Sequence, residues 1–199
     1  AAVDGVVSYT NLKYTGLIDS KSITYTLVNT AIAESESFEV APGAEASLEI
    51  TRSADGARNA AAFTVQPKIT VLDVSGNTVT SSTVEITASV NGANLGGTTS
   101  AHASAGVLDF SDLKLTGGIG TYTITYSATD ITGTSQNIDL GVGVATHVAI
   151  TRPAAGFVNR VAFSTQPAIE IQDSSNNTVT TATDAVTVTV DGGVAIDGL

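Results

Sequence analysis

The chain has 199 residues, a formal charge of −11 from 8 Lys+Arg against 19 Asp+Glu, and no Cys, Met or Trp. Such a balance excludes a nucleic-acid binder that tracks phosphates with clustered Lys and Arg, and it opposes adsorption to anionic lipid. Without cysteine there are no disulfides, Cys-ligated zinc, iron–sulfur clusters or thiol nucleophiles. Thirty Thr and 19 Gly beside 42% hydrophobic residues describe a β-rich chain able to bury a core. No apolar run reaches the roughly 18 residues that span a bilayer, and Ala1 opens no signal-peptide pattern, so the expectation is a mature product or an excerpt.

Taken in chain order, residues 1–45 carry three short signatures: Gly5-Val6, Asn11-Leu12-Lys13 and Ile23-Thr24-Tyr25. Each returns 101 residues later, as Gly106-Val107, Asp112-Leu113-Lys114 and Ile124-Thr125-Tyr126. From about residue 46 a full set of strands is expected: 47–52, 62–66, 68–73, 84–90, 98–102, 106–115, 121–128 and 135–142. The reason is period-2 alternation. In Thr121-Tyr122-Thr123-Ile124-Thr125-Tyr126 the threonines take one face and the larger residues the other. Turn signals at Asp73-Val74-Ser75-Gly76-Asn77, Asn91-Gly92, Gly96-Gly97 and Gly117-Gly118 punctuate these runs. The expected core is Phe63, Ile69, Val71, Ile86, Val90, Phe110, Leu113, Leu115, Tyr122, Ile124 and Tyr126. Residues 145–199 then repeat the beginning of that set at an offset of 100. Ile50-Thr51-Arg52 returns as Ile150-Thr151-Arg152, and Ala62-Phe63 with Gln66-Pro67 as Ala162-Phe163 with Gln166-Pro167. Asn77-Thr78-Val79-Thr80 returns as Asn177-Thr178-Val179-Thr180, and 14 of 29 positions agree between 62–90 and 162–190. Ala185–Val190 is expected to form a strand like its counterpart.

The organisation that follows is all-β: tandem immunoglobulin-like β-sandwiches with a period of about 100 residues. Residues 1–45 are the C-terminal half of one unit, 46–144 a complete unit, and 145–199 the N-terminal half of a third. The ends nearly join, since Val90 to Leu113 spans 23 residues while Val190 through Leu199 and on from Ala1 to Leu12 spans 21. The connecting residues Val40–Glu45 and Gly141–Ala145 are few, so a stiff or semi-stiff rod is expected.

Ala-Phe-x-x-Gln-Pro, Asp-x-Ser-x-Asn-Thr-Val-Thr, Leu-Lys-Leu-Thr-Gly and Gly-Thr-Tyr-Thr-Ile-Thr-Tyr occur here in succession. That succession resembles tandem bacterial Ig-like repeats of very large surface and secreted proteins, similar to the invasin/intimin type. The resemblance spans essentially the whole chain. It implies extracellular or cell-surface structure, as in adhesin stalks, fibres or surface layers, and no catalytic residues.

Candidate sites are sparse. Asp73 and Asn77, with Asp173 and Asn177, place oxygen ligands at the spacing of a Ca²⁺ loop. The preferred reading is a hairpin turn in which the Asp accepts bonds from its own loop and Gly76 or Asn176 turns left-handed. Lys13 and Lys114 share a repeat position open to isopeptide crosslinking, but the flanking Leu113 and Leu115 claim the inward face and turn Lys114 outward. Arg52 and Arg152 are expected to pair with a carboxylate of the neighbouring unit or to hold the loop behind them. Exposed threonine rows resemble an ice-binding face, which a twisted sheet disfavours. His102 and His147 have no metal-ligand spacing, and no nucleophile elbow or phosphate loop occurs, so no enzyme and no cofactor are expected. Asn176-Asn177-Thr178 is a lone glycosylation sequon.

Three roles are consistent with these residues. One is a structural extracellular repeat acting as stalk, spacer or fibre, whose partners are neighbouring Ig-like repeats on the same or identical chains. Another is a filament subunit closing head-to-tail through its two half-units. The last is a carbohydrate- or protein-binding module, for which Tyr9 and Tyr14 are the aromatics to check for exposure. Against the filament stands the simpler account of a two-period window from a longer array, which is preferred.

Overall fold

The computed structural model describes residues 3–27 and 30–191, and among these the chain is all-β with no helix. No helix long and apolar enough to cross a membrane therefore occurs among them. The first strands are β1 (Ser20–Lys21), β2 (Thr24–Leu27), β3 (Thr30–Glu34) and β4 (Phe38–Glu39). Then come β5 (Glu45–Arg52), β6 (Lys68–Asp73), β7 (Glu85–Val90), β8 (Asn94–Gly96), β9 (Ser100–His102) and β10 (Val107–Asp109). They are followed by β11 (Lys114–Thr116), β12 (Gly120–Ala128) and β13 (Ile131–Leu140), and last by β14 (His147–Arg152) and β15 (Ala168–Gln172).

Seven of these strands form one sheet in the order β10-β6-β5-β13-β12-β7-β9. Its neighbours run antiparallel except at one place, where Thr132 of β13 meets Ser47 of β5 in parallel. That single parallel contact ties an antiparallel group of three to a group of four, and the assembly nearly closes into a barrel. The pair β8-β11 lies apart from the large sheet. So do the three two-stranded sheets β1-β4, β2-β3 and β14-β15.

The period-2 pattern explains which side chains meet. Along β12 Ile124 and Tyr126 are fully buried and Tyr122 is half-buried, while Thr121, Thr123 and Thr125 face water. Two of those outward hydroxyls donate across the strand, Thr121 to Asp139 at 2.5 Å and Thr123 to Asn137 at 2.8 Å. The threonine row is thus bonded to neighbouring side chains rather than presented as a bare lattice. All eleven expected core residues lie in or against one apolar cluster, with Val90 and Tyr122 only partly covered. Leu48, Leu108, Ile138 and Leu140 complete it. Each fully buried Leu or Ile contributes about 1.5–3 kcal/mol, so this cluster dominates the stability of residues 46–144.

Three expected strands turn out differently. Residues 62–66 form no continuous strand; they make the isolated contacts Ala62–Lys114 and Val65–Asp55, with the Phe63 N–H donating to the Leu113 carbonyl at 2.9 Å. A side chain adds to these backbone contacts: the Gln66 amide donates to the Leu113 carbonyl and accepts from the Leu113 N–H, both at 3.0 Å. The run 106–115 is broken in two, because β10 pairs with β6 whereas β11 pairs with β8. Its bend is fixed by the Phe110 N–H donating to the Pro67 carbonyl. Ala185–Val190 forms no strand, since it has no ladder partner among the described residues.

Tyr126 is a test of this packing. Its ring is entirely buried against Phe110, and its hydroxyl has no hydrogen-bond partner among the described residues. Burial pushes the phenol well above its ordinary pKa. An unmatched buried hydroxyl carries a desolvation penalty. Tyr126→Phe is therefore expected to leave unfolding free energy unchanged or raise it by about 1 kcal/mol, read by thermal or denaturant unfolding. A loss of stability would mean the hydroxyl is bonded in solution.

Candidate functional site

The loops after β6 and β15 contain the most concentrated polar chemistry of the molecule. Asp73 and Asp173 are both buried. Each opens a tight turn in which residue i+3 donates to its carbonyl, Gly76 with φ +81° and Asn176 with φ +63°. A left-handed residue at that position is what the turn requires.

Buried carboxylates need donors, and both loops supply the same set. Asp73 Oδ1 accepts from the N–H groups of Ser75 and Asn77 at 2.8 and 2.9 Å. Its Oδ2 accepts from the Asn77 amide at 2.9 Å and the Gly43 N–H at 2.8 Å. Asp173 repeats this with Ser175 (2.9 Å), Asn177 (3.1 Å), the Asn177 amide (3.0 Å) and Gly143 (2.9 Å). The Asn77 amide, then the N–H of Gly43, hold the Asp73 carboxyl down at about 2. For Asp173 burial opposes ionisation, but Gly143 and Asn177 outweigh it and keep the carboxyl well below the usual range.

The asparagine then reaches across to a preceding loop. Asn77 Nδ2 donates to the Gly16 carbonyl at 3.0 Å, and its Oδ1 accepts from the Ile18 N–H at 2.9 Å. Asn177 does the same to Gly117 at 3.0 Å and Ile119 at 3.1 Å. Each amide thus mimics one rung of a β-ladder, bridging residues 58 to 61 positions apart in the chain. At the second joint Asn59 adds to the clasp. Its Oδ1 accepts from the Gly117 N–H and the Ser175 hydroxyl, both at 3.0 Å, and its Nδ2 donates to the Ser174 hydroxyl. A cleft of about 360 Å³ beside it is lined by Arg58, Val144, Ala182 and Asp184. Glycine is required at Gly143, where an added Cβ would stand 2.5 Å from the Asn59 carbonyl oxygen.

The four Ca²⁺ candidates are therefore brought together in pairs, Asp73 with Asn77 and Asp173 with Asn177, around N–H donors. No group of three or more His, Cys, Asp or Glu suited to a metal lies among the described residues. Of the two expectations for Arg52, it holds the loop behind it, and its carboxylate partner lies in the same sheet rather than in a neighbouring unit. It pairs with Asp109, on β10 of the same large sheet, and donates from Nε to the Gln66 carbonyl at 2.6 Å. Lys68 meets the other oxygen of Asp109 at 3.2 Å. The reason is topological: β10 lies beside β6, so Asp109 stands directly opposite Lys68. Arg152 repeats only the bond to the loop, to the Gln166 carbonyl at 2.9 Å. Lys13 and Lys114 are exposed. His102 and His147 are far apart in the fold, one beside Thr83 and the other bonded to Asn176 of the sequon. Tyr9 and Tyr14 are both exposed, at 59% and 46%. Asn59 and Gly16 were invisible as joint residues to sequence reasoning, and Gly43 stood out only as part of the connecting segment Val40–Glu45. The one signal for the glycines is that Gly43 and Gly16 return at the repeat offsets as Gly143 and Gly117.

No family model matches the chain, and no curated protein matches it. Among solved structures, a β-glucuronidase from Parabacteroides merdae aligns over 50% of this chain and 13% of its own, at 14% identity and a TM-score of 0.38. A β-glycosidase from Bacteroides vulgatus aligns over 61% of this chain and 17% of its own, at 15% identity and a TM-score of 0.41. The chain thus spans less than a fifth of either enzyme, and likeness at this level says nothing of its activity.

Two outcomes are expected from this geometry. Asn77→Ala should cost about 1–3 kcal/mol by leaving the buried Asp73 short of a donor and two backbone groups unmatched, measured by denaturant unfolding. Because both carboxyls are depressed in the folded chain, their stabilisation is complete above the unfolded value near 4 and drains away as pH falls toward about 2. A melting temperature that is flat between pH 7 and 5 and falls steeply below pH 4 is the expected profile. Asp73→Asn should flatten the fall.

Proposed function

We propose that the chain is a structural repeat module, built as tandem Ig-like sandwiches of about 100 residues and serving as stalk, spacer or fibre of a bacterial surface or secreted protein. In this reading residues 1–45, 46–144 and 145–199 belong to three successive units. The observation that carries it is the recurrence of one joint. Asn77 and Asn177 each bond a carbonyl and an N–H of a loop 58 to 61 residues before them, and each is oriented by a buried Asp that also takes the connecting glycine. A joint repeated with the same partners is how a linear array keeps one angle from unit to unit.

Other features agree with it. The net charge of −11 keeps neighbouring rods soluble and mutually repulsive. Polar side chains cluster at joints rather than in a reactive cleft, so the reading assigns no catalytic residue and no cofactor. Extracellular placement rests on the resemblance to bacterial surface repeats.

The test is rigidity across the joints of the intact chain. Residual dipolar couplings from residues 46–144 and from the flanking segments should fit a single alignment tensor. Asn77→Ala combined with Asn177→Ala should give separate tensors and a broader small-angle scattering distance distribution. If the unaltered chain already shows independent tensors, the rod reading fails.

A further inference from the structure

We propose that Asn91-Gly92 is a self-modifying site, at which the folded chain converts its own asparagine to isoaspartate and aspartate while the joint asparagines keep their amides. The inference does not depend on the rod reading.

The pair follows the last residue of β7. It is the one Asn-Gly dipeptide in the sequence, and both residues are exposed. The β7-β12 ladder ends with Val90 opposite Ile124, so β12 no longer holds the backbone beyond that point. Neither the Asn91 amide nor the Gly92 N–H has a hydrogen-bond partner among the described residues. Gly92 has φ +83°, and a Cβ added there would meet nothing nearer than the Tyr122 ring at 3.6 Å. The nitrogen that follows Asn91 is thus unbonded and carries no side chain to shield it, and no bond holds the amide carbon away from it. Water reaches the same place, because Asn91 lines an open cleft of about 420 Å³ with Ser89, Thr121 and Thr123.

One reaction needs those conditions and nothing more. The Gly92 nitrogen attacks Asn91 Cγ, and the amide nitrogen leaves as ammonia, carrying away the proton that the Gly92 nitrogen gives up. The new C–N bond closes a succinimide ring. Water then opens the ring at either carbonyl, giving isoaspartate when the main-chain bond is cut and aspartate when the new bond is cut. One water is consumed, one ammonia is released, and no atom changes oxidation state.

The other ordered asparagines are guarded. Asn77 Nδ2 bonds both oxygens of Asp73, and Asn177 Nδ2 both oxygens of Asp173. Each is followed by a β-branched threonine that crowds the attacking nitrogen. After Asn59 the nucleophile is occupied, since the Ala60 N–H donates to the Leu115 carbonyl at 2.8 Å. Asn137 lies within β13, where its Oδ1 accepts from Thr123, and Asn94 is paired with Thr116 in the β8-β11 ladder. The chemistry therefore falls at the end of β7 and spares the joints. Isoaspartate routes the main chain through Cγ, so it lengthens the link from β7 to β8 by one carbon and adds one negative charge to a chain already at −11.

The test is to hold the intact chain in warm, mildly alkaline buffer, folded in one sample and unfolded in urea in another. Trypsin releases residues 69–114 as one peptide that contains Asn77, Asn91 and Asn94. Fragment masses should show residue 91 exchanging NH for O in the folded sample, about tenfold or more faster than Asn77, Asn94 or Asn177. Isoaspartyl methyltransferase should label that peptide. Asn91→Gln, whose longer side chain disfavours the ring, should abolish the change while the far-ultraviolet spectrum stays that of the parent. An Asn91 that keeps its amide in the folded chain while the unfolded chain loses it overturns the inference, and so does conversion of Asn77 or Asn94 at the same rate.

Discussion

A carboxylate without access to water must be surrounded by hydrogen-bond donors, and the placement of Asp73 and Asp173 organises everything around them. Each is closed off by two N–H groups of its own turn, one asparagine amide and one glycine N–H from the preceding connection. The donors are local in sequence except for the glycine, which lies 30 residues earlier. Satisfying the charge therefore folds the connection back onto the turn. It also fixes the asparagine rotamer, and only an asparagine held in that orientation can pair with a carbonyl and an N–H of another loop. The joint is a consequence of satisfying one buried acid.

Within residues 46–144 a second constraint acts between the early and late strands. Gln66 binds the Leu113 backbone, and Gln136 binds both the N–H and the carbonyl of Ala54 at 3.1 and 3.3 Å. Each amide ties together segments that form no continuous ladder. The Arg52–Asp109–Lys68 cluster spans the same division, but its groups are about 40% to 50% exposed. Solvent screening limits such pairs to roughly 0–1 kcal/mol, so the cluster sets alignment while the amides and the apolar cluster supply stability.

The strands and core were legible because alternation records burial directly. Tyr122, Ile124 and Tyr126 could face only one way. The all-β class followed from the same pattern, and the recurrence of Asn77-Thr78-Val79-Thr80 pointed to loops worth inspecting. What the pattern could not carry was the identity of partners distant in sequence. Asp73 reads as a turn-former in preference to a metal ligand, but its bond to Gly43, 30 residues earlier, is not in the pattern. Arg52 reads as a joint residue or a loop holder until β10 places Asp109 beside it. The segment 62–66 has strand composition but forms only isolated bridges, to which the Gln66 amide adds its two bonds to Leu113. Alternation in Ala185–Val190 likewise encodes a preference for pairing, and pairing needs a neighbour.

The choice of neutral amides at the joints has an electrostatic logic. The chain carries 19 acidic and 8 basic residues, so any joint built on ion pairs would compete with the repulsion of its own surface and weaken as salt rises. Hydrogen bonds from Asn77 and Asn177 to backbone groups do not depend on the counterion atmosphere, and each acid they orient is already ringed by N–H donors inside the turn. Salt then acts on only one side of the balance. It relaxes the repulsion between like-charged surfaces and leaves these hydrogen bonds to backbone groups in place.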